Sequence, residues 1–167
     1  LTENYKISLN NTLGDFYILP DTSKKKNITF LDIFTHQAQL YPWIPFHQLY
    51  MDNNKKLIDS LFSNKKSNFF SSKVANNLYF RTEYHDSIIN VILKKDLLKR
   101  KEYKYSDLGF YLFHDILKKE FEIDIESYLK QEFYYPIEAF RVMYNPINQY
   151  PKTSIIPTED DKTFRKQ

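Results

Sequence analysis

Only two glycines, Gly14 and Gly109, and no cysteine occur among 167 residues. Dinucleotide loops and phosphate-cradling loops need several positions where bare backbone can approach phosphate, so two isolated glycines exclude both. The lack of cysteine removes disulfides, thiolate metal sites and a cysteine nucleophile, while leaving the compartment open. The four histidines, His36, His47, His85 and His114, form no helical i, i+4 pair and stand at no ligand spacing from a carboxylate, so neither a metal nor a cofactor is expected.

The remaining chemistry must come from oxygen and nitrogen side chains on a globular scaffold. Hydrophobic residues make up 42% and charged residues 27%, and a chain of 167 residues can bury roughly 70% of its unfolded surface. No apolar run approaches the roughly 18 residues of a membrane span, and Leu1-Thr2-Glu3-Asn4-Tyr5-Lys6 lacks the basic-then-apolar pattern of a signal peptide. The net charge is only +3, with basic residues gathered at Lys24-Lys25-Lys26, Lys65-Lys66, Lys94-Lys95 and Lys99-Arg100-Lys101. Each cluster sits beside a turn or helix end, where lysines are ordinarily solvated or complement the helix dipole. The other reading is a basic surface whose 14 tyrosines and 14 phenylalanines stack on nucleic acid. Aromatics this abundant more often fill a core, and no nucleic-acid partner is expected.

The chain reads as one unit, residues 1–167, with no repeat and no linker. Thr29 predicts a helix from Phe30 to about Gln39, with Asp32 supporting its N-terminus and Pro42 stopping it. Residues 41 to 50 form an aromatic loop around Pro42, Trp43, Pro45 and Phe46. Helices are expected at about Asp52–Phe62 and Asp86–Leu98, separated by a polar surface loop over 63–77. Ser106 or Asp107 caps a helix through about Glu120, and Asp124 begins another to about Phe133. The result is a mainly α chain.

Tyr105-Ser106-Asp107-Leu108-Gly109-Phe110 places a tyrosine immediately ahead of a helix start and uses one of the two glycines. By itself it reads as a core tyrosine followed by a cap. Upstream stand Ile7-Ser8-Leu9 through Leu19-Pro20, then Ile33-Phe34-Thr35-His36-Gln37-Ala38-Gln39-Leu40. Downstream stand Ile125-Glu126-Ser127-Tyr128-Leu129 to Phe133, Pro136-Ile137 and Pro157-Thr158-Glu159-Asp160. In this order the segments resemble serine hydrolases of the class C β-lactamase and penicillin-binding-protein type. That family carries Tyr-x-Asn where Tyr105 begins, and Leu-Leu-Thr-His-x-Ser-Gly-Leu where residues 33–40 stand.

The resemblance implies an acyl-enzyme mechanism on a small-molecule, peptide or ester substrate. A serine three residues before a lysine attacks, and a tyrosine relays the proton; such a phenol needs a neighbouring cation to act as a base. Tyr105 would be that relay, Asp107 a polar group on the substrate side, and Trp43 a wall of the pocket. The fold implied is the mainly helical subdomain of a β-lactamase/transpeptidase-like α+β hydrolase, with the remainder of that domain as its partner. A cell-envelope or periplasmic setting and an attached glycoside hydrolase domain are further expectations of the same kind.

Departures shape the expectation as much as matches. Ser23…Lys26 and Ser63…Lys66 have Ser-x-x-Lys spacing but lie in polar loops after the wrong elements, and neither is read as the nucleophile. That serine is expected ahead of Leu1, and the Lys-Thr-Gly or His-x-Gly strand beyond Gln167, so this chain alone is expected to be inactive. Gln39 and Glu138 stand where the family has glycine. Asp107 replaces the usual asparagine and cannot donate a hydrogen bond when ionised, which favours an esterase or peptidase over a β-lactamase. The altered turns also suit a catalytically dead homologue. A basic aromatic binding module is the third reading, distinguished by a steep salt dependence of binding.

Overall fold

A computed structural model describes residues 7–156 except 76, 145, 147 and 148; the opening Leu1–Lys6 and the Pro157–Asp160 stretch therefore lie outside the described residues. The chain divides into two compact units, Leu1–Phe121 and Glu122–Gln167. The first holds helices α1 (Phe30–Phe34), α2 (His85–Lys94) and α3 (Leu108–Glu120) and strands β1 (Phe62–Ser63), β2 (Ser72–Ala75) and β3 (Leu78–Phe80). The second holds α4 (Ile125–Leu129), which runs into a π-helical turn at Lys130–Tyr134.

The mainly α expectation is wrong, because the first unit contains a three-stranded antiparallel sheet in the order β1-β3-β2, making the chain α+β. Phe62 faces Phe80 across β1 and β3, while Ser72 faces Phe80 and Lys73 faces Tyr79 across β2 and β3. Two local misreadings account for the difference. The helix expected at Asp52–Phe62 is absent: the Asp52 carboxylate accepts from the Asn54 and Lys56 backbone N–H groups at 2.8 and 2.9 Å, turning the chain there. Aspartate side chains compete in this way with helix formation. Within the expected loop at 63–77, β2 forms and is joined to β3 by a tight connection in which Asn77 takes a φ of 53°. Left-handed backbone of this kind suits a short hairpin.

Helix α1 starts as Thr29 requires. The Asp32 N–H donates to Thr29 Oγ1 at 3.0 Å and the Thr29 N–H donates back to Asp32 Oδ2 at 3.1 Å, closing a capping box. The helix ends at Phe34, five residues short of Gln39, because the backbone turns left-handed at His36 with φ 56°. Burial alone would raise the Asp32 carboxyl, but the Thr29 bonds and the Lys101 ammonium at 3.1 Å hold it below its ordinary 3.8. The Asp15 carboxylate is likewise held low, chiefly by the Thr12 backbone N–H at 2.8 Å.

Carboxyls depressed in the folded state contribute stability that is complete above their unfolded values and lost as pH falls through the folded ones. The thermal midpoint should therefore fall on acidification from about pH 4 downward, and Asp32→Asn should flatten that limb. Thermal scans across the acid range measure it.

The core of the first unit gathers Leu13, Phe30, Ile33, Ile92, Leu112, Ile116 and Leu117, all nearly inaccessible to solvent. Phe30 stacks on Phe16 with ring centroids 5.4 Å apart and meets Phe113 edge-on at 5.0 Å, tying the N-terminal segment to α3 through α1. Asp115 on α3 is buried in this layer. Tyr17 Oη donates to its Oδ2 at 2.9 Å, and the Lys119 ammonium stands 3.2 Å from Oδ1. Burial, with Asp115 beside it, pushes the Tyr17 phenol well above the tyrosine norm, so it remains a donor.

The solvated reading of the first lysine cluster fails at one residue. Lys25 is buried, and its ammonium donates to the Lys95 carbonyl, joining the segment before α1 to the end of α2. Burial lowers its pKa.

In the second unit Asp124 precedes α4 and accepts from Ser127 Oγ at 2.6 Å. Glu126 and Lys130 pair at 2.8 Å one turn apart. After the π turn the Ala139 N–H donates to the Tyr134 carbonyl at 2.8 Å, which closes the chain through Glu138 at φ 58°.

Candidate functional site

Both glycines serve close approach rather than turning, since neither has a positive φ. A Cβ on Gly109 would stand 2.6 Å from Ile33 Cγ2, so the first turn of α3 lies directly against α1. This contact brings the two most motif-like segments together. The Lys104 N–H donates to the His36 carbonyl at 2.9 Å, the Ser106 N–H donates to His36 Nδ1 at 3.3 Å, and Ser106 Oγ donates to the Tyr41 carbonyl at 2.7 Å. In accepting the Ser106 N–H, Nδ1 of His36 carries no hydrogen.

Tyr105 stands on the outer side of this junction. Its ring lies 4.6 Å from that of His36, and the residue is 56% exposed. Tyr105 Oη donates to Asp107 Oδ1 at 2.9 Å. That bond to the carboxylate, with its charge, holds the phenol above the usual 10.0. Asp107 is thus joined to Tyr105 itself, so the phenol's partner is an acid, whereas the resemblance implies a neighbouring cation. Asp107 sits at the N-cap position of α3 yet makes no cap bond. The cap is Ser106, whose Oγ accepts from the Leu108 N–H at 3.2 Å.

Trp43 is 65% exposed and lies beside His47, with ring centroids 6.1 Å apart. Among the described residues no ring contact joins it to Tyr105, and its tie to the site runs through the Tyr41 carbonyl held by Ser106. Phe46 from the same loop meets Tyr111 of α3 at 6.0 Å, which sets the loop beside the first turns of that helix. His36 and Ser106 are the residues that hold Tyr105 in place, and neither stands among the site residues that the resemblance implies. The Thr35-His36 match was the available signal for the first, and the Ser/Asp alternative at the cap for the second.

Neither internal Ser-x-x-Lys forms a working couple. Ser63 Oγ donates to the Lys65 carbonyl at 2.9 Å, and Lys26 pairs with Asp21 at 2.7 Å. A cleft of about 830 Å³ between the 18–25 segment and the end of α2 is lined by Lys25, Gln39, Leu93 and Leu98, and Tyr105 is not part of it. Among the described residues no three His, Asp or Glu side chains gather as metal ligands. No helix there is long and apolar enough to cross a membrane.

Gln39 and Glu138, standing at the two positions where glycine was expected, both have left-handed backbone, with φ of 57° and 58°. A side chain in that region costs roughly 1–2 kcal/mol, part of which glycine returns as chain entropy. Glu138→Gly should accordingly raise stability by about 0.5–1 kcal/mol in denaturant titration. Gln39→Gly should gain less, because it also loses the bond from Gln39 Nε2 to the Leu98 carbonyl at 2.7 Å.

Comparison with protein-family models, with curated proteins and with solved structures finds no match to this chain.

Proposed function

We propose that the chain supplies the tyrosine of an acyl-enzyme serine hydrolase of the class C β-lactamase and penicillin-binding-protein type, acting on an ester or peptide, with the nucleophilic serine contributed from outside residues 1–167. The observation that carries this is the placement of Tyr105. Its hydroxyl is presented outward on a junction locked by His36, Ser106 and Gly109, so the phenol is accessible while its backbone is held by buried contacts. Accessibility to a reacting group and fixed position are what a proton relay needs. The left-handed backbone at Gln39 and Glu138, where the family has glycine, supports the same reading. Trp43 and the loop behind it would wall the substrate side.

One observation favours a second reading. The Asp107 carboxylate disfavours a Tyr105 phenolate, as expected of a catalytically silent homologue. Fluorophosphonate labelling separates the two. The natural protein carrying this chain should be labelled at a serine outside residues 1–167, while the chain alone should remain unlabelled. A full-length protein that takes no label supports the silent homologue; label at Ser23 or Ser63 contradicts both.

A further inference from the structure

We propose that Asp107 is the acceptor to which Tyr105 hands its proton, so that the two residues together form the base of the site. This rests on the hydrolase reading above. A neutral phenol that accepts a proton becomes a strongly acidic oxonium, so it can serve as a base only by giving up its own hydrogen in the same event. Tyr105 has such an outlet, since Oη donates to Asp107 Oδ1 at 2.9 Å and keeps its lone pairs free for a second donor.

The carboxylate is free for this task because Ser106 does the capping. An aspartate at an N-cap ordinarily spends its oxygen on the helix N–H groups, whereas here Ser106 Oγ takes the Leu108 N–H and Asp107 makes no cap bond. Among the described residues Asp107 forms no ion pair. The titratable neighbours are His36, ring to ring at 4.6 Å from Tyr105, and Tyr103, edge-on to His36 at 5.9 Å, with Lys104 between the two tyrosines in sequence. An asparagine at 107 could hold the phenol in place but could not take its proton.

The step balances without any further reactant. As the serine Oγ–carbon bond forms, the carbonyl π pair moves onto the carbonyl oxygen, the Oγ hydrogen passes to Tyr105 Oη, and the Oη hydrogen passes to Asp107 Oδ1. The tyrosine is neutral before and after, and the carboxylate becomes a carboxylic acid. On collapse the bond to the leaving oxygen or nitrogen breaks, the leaving atom takes a hydrogen from Oη, and Oη recovers one from Oδ1. Water replaces serine as the donor in deacylation, and the same shifts repeat.

The test is kcat/KM against pH for p-nitrophenyl acetate on the natural full-length protein, Asp107→Asn, Tyr105→Phe and the double variant. Asp107 is exposed and makes no cap bond, so Asp107→Asn should keep its thermal midpoint, which is measured alongside. We expect Asp107→Asn to lose about 10²-fold or more and to flatten the acid side of the pH profile relative to the wild type. The double variant should fall no more than about threefold below the worse single one, because the residues act as a unit.

An acid limb that survives unchanged in Asp107→Asn belongs to another group and overturns the inference. So does an equal loss at every pH, which marks a positioning role, and so does a double variant losing the product of the single effects. If Tyr105→Phe is fully active, the hydrolase reading itself fails. If Tyr105→Phe is impaired and Asp107→Asn is not, only the relay fails.

Discussion

On the proposed function, Tyr105→Phe is expected to lower kcat/KM of the natural full-length protein by about 10²-fold to 10⁴-fold while leaving it folded, because general acid–base groups contribute on that scale. The substitution removes a single oxygen. The ring it leaves can still pack on His36, and the backbone bonds from Lys104 and Ser106 to His36 do not involve the phenol. The one bond lost, from Oη to Asp107, is solvent-exposed and contributes little to stability. A large kinetic effect with an unchanged thermal midpoint therefore separates a reacting group from a structural one. Steady-state kinetics on an ester substrate and a thermal scan of the same preparation read both quantities. A loss of activity that tracks a loss of folded protein would assign Tyr105 to packing.

Gly109→Ala should destabilise the chain by about 1–3 kcal/mol, the usual range for overpacking a closed core. The sign is informative, since alanine in an open helical position would stabilise by about 1 kcal/mol through helix propensity. The new methyl would lie 2.6 Å from Ile33 Cγ2, 3.2 Å from Cγ1 and 3.3 Å from Cβ. Ile33 branches at Cβ and is 2% exposed, so it has no flexible end to swing away. Relief must come from α3 moving off α1, which also shifts Ser106 from His36 and Tyr41. Combining Gly109→Ala with Ile33→Ala removes both sides of the clash. The pair should therefore cost less than the sum of the single changes by about 0.5–3 kcal/mol. Strict additivity in denaturant titrations would place the strain elsewhere.

Local rules carried the helix starts and missed the sheet. Thr29 with Asp32 three residues on, and the Ser106-Asp107 pair, are chemical signals of a helix N-terminus, and α1 and α3 begin there. The hydrophobic repeat at Ile88, Ile89 and Ile92 likewise marks α2. The helix expected at 52–62 does not form, because the Asp52 carboxylate binds the local backbone first. Strands β2 and β3 are four and three residues long, too short for alternation to stand out.

Within the site, the exposure of Tyr105 was not legible from Tyr105-Ser106-Asp107 itself, which reads as a core tyrosine followed by a cap; only the relay role implied by the resemblance asks for the exposed phenol that the structure has. Which of Ser106 and Asp107 would cap was not legible either, since both side chains are able to. That choice depends on Tyr41, a residue distant in sequence whose carbonyl holds the Ser106 hydroxyl in place. The left-handed turns at Gln39 and Glu138 carry no signal in their own side chains, and only the resemblance pointed to them.

The most direct measurement is the structure of the natural full-length protein after covalent trapping with a fluorophosphonate, read at Tyr105. The serine hydrolase account predicts Tyr105 Oη within about 2.6–3.2 Å of the phosphonylated serine Oγ, directly or through one water, with Asp107 on its far side. An adduct formed on a serine that Tyr105 does not reach, with the phenol facing bulk solvent, would contradict it.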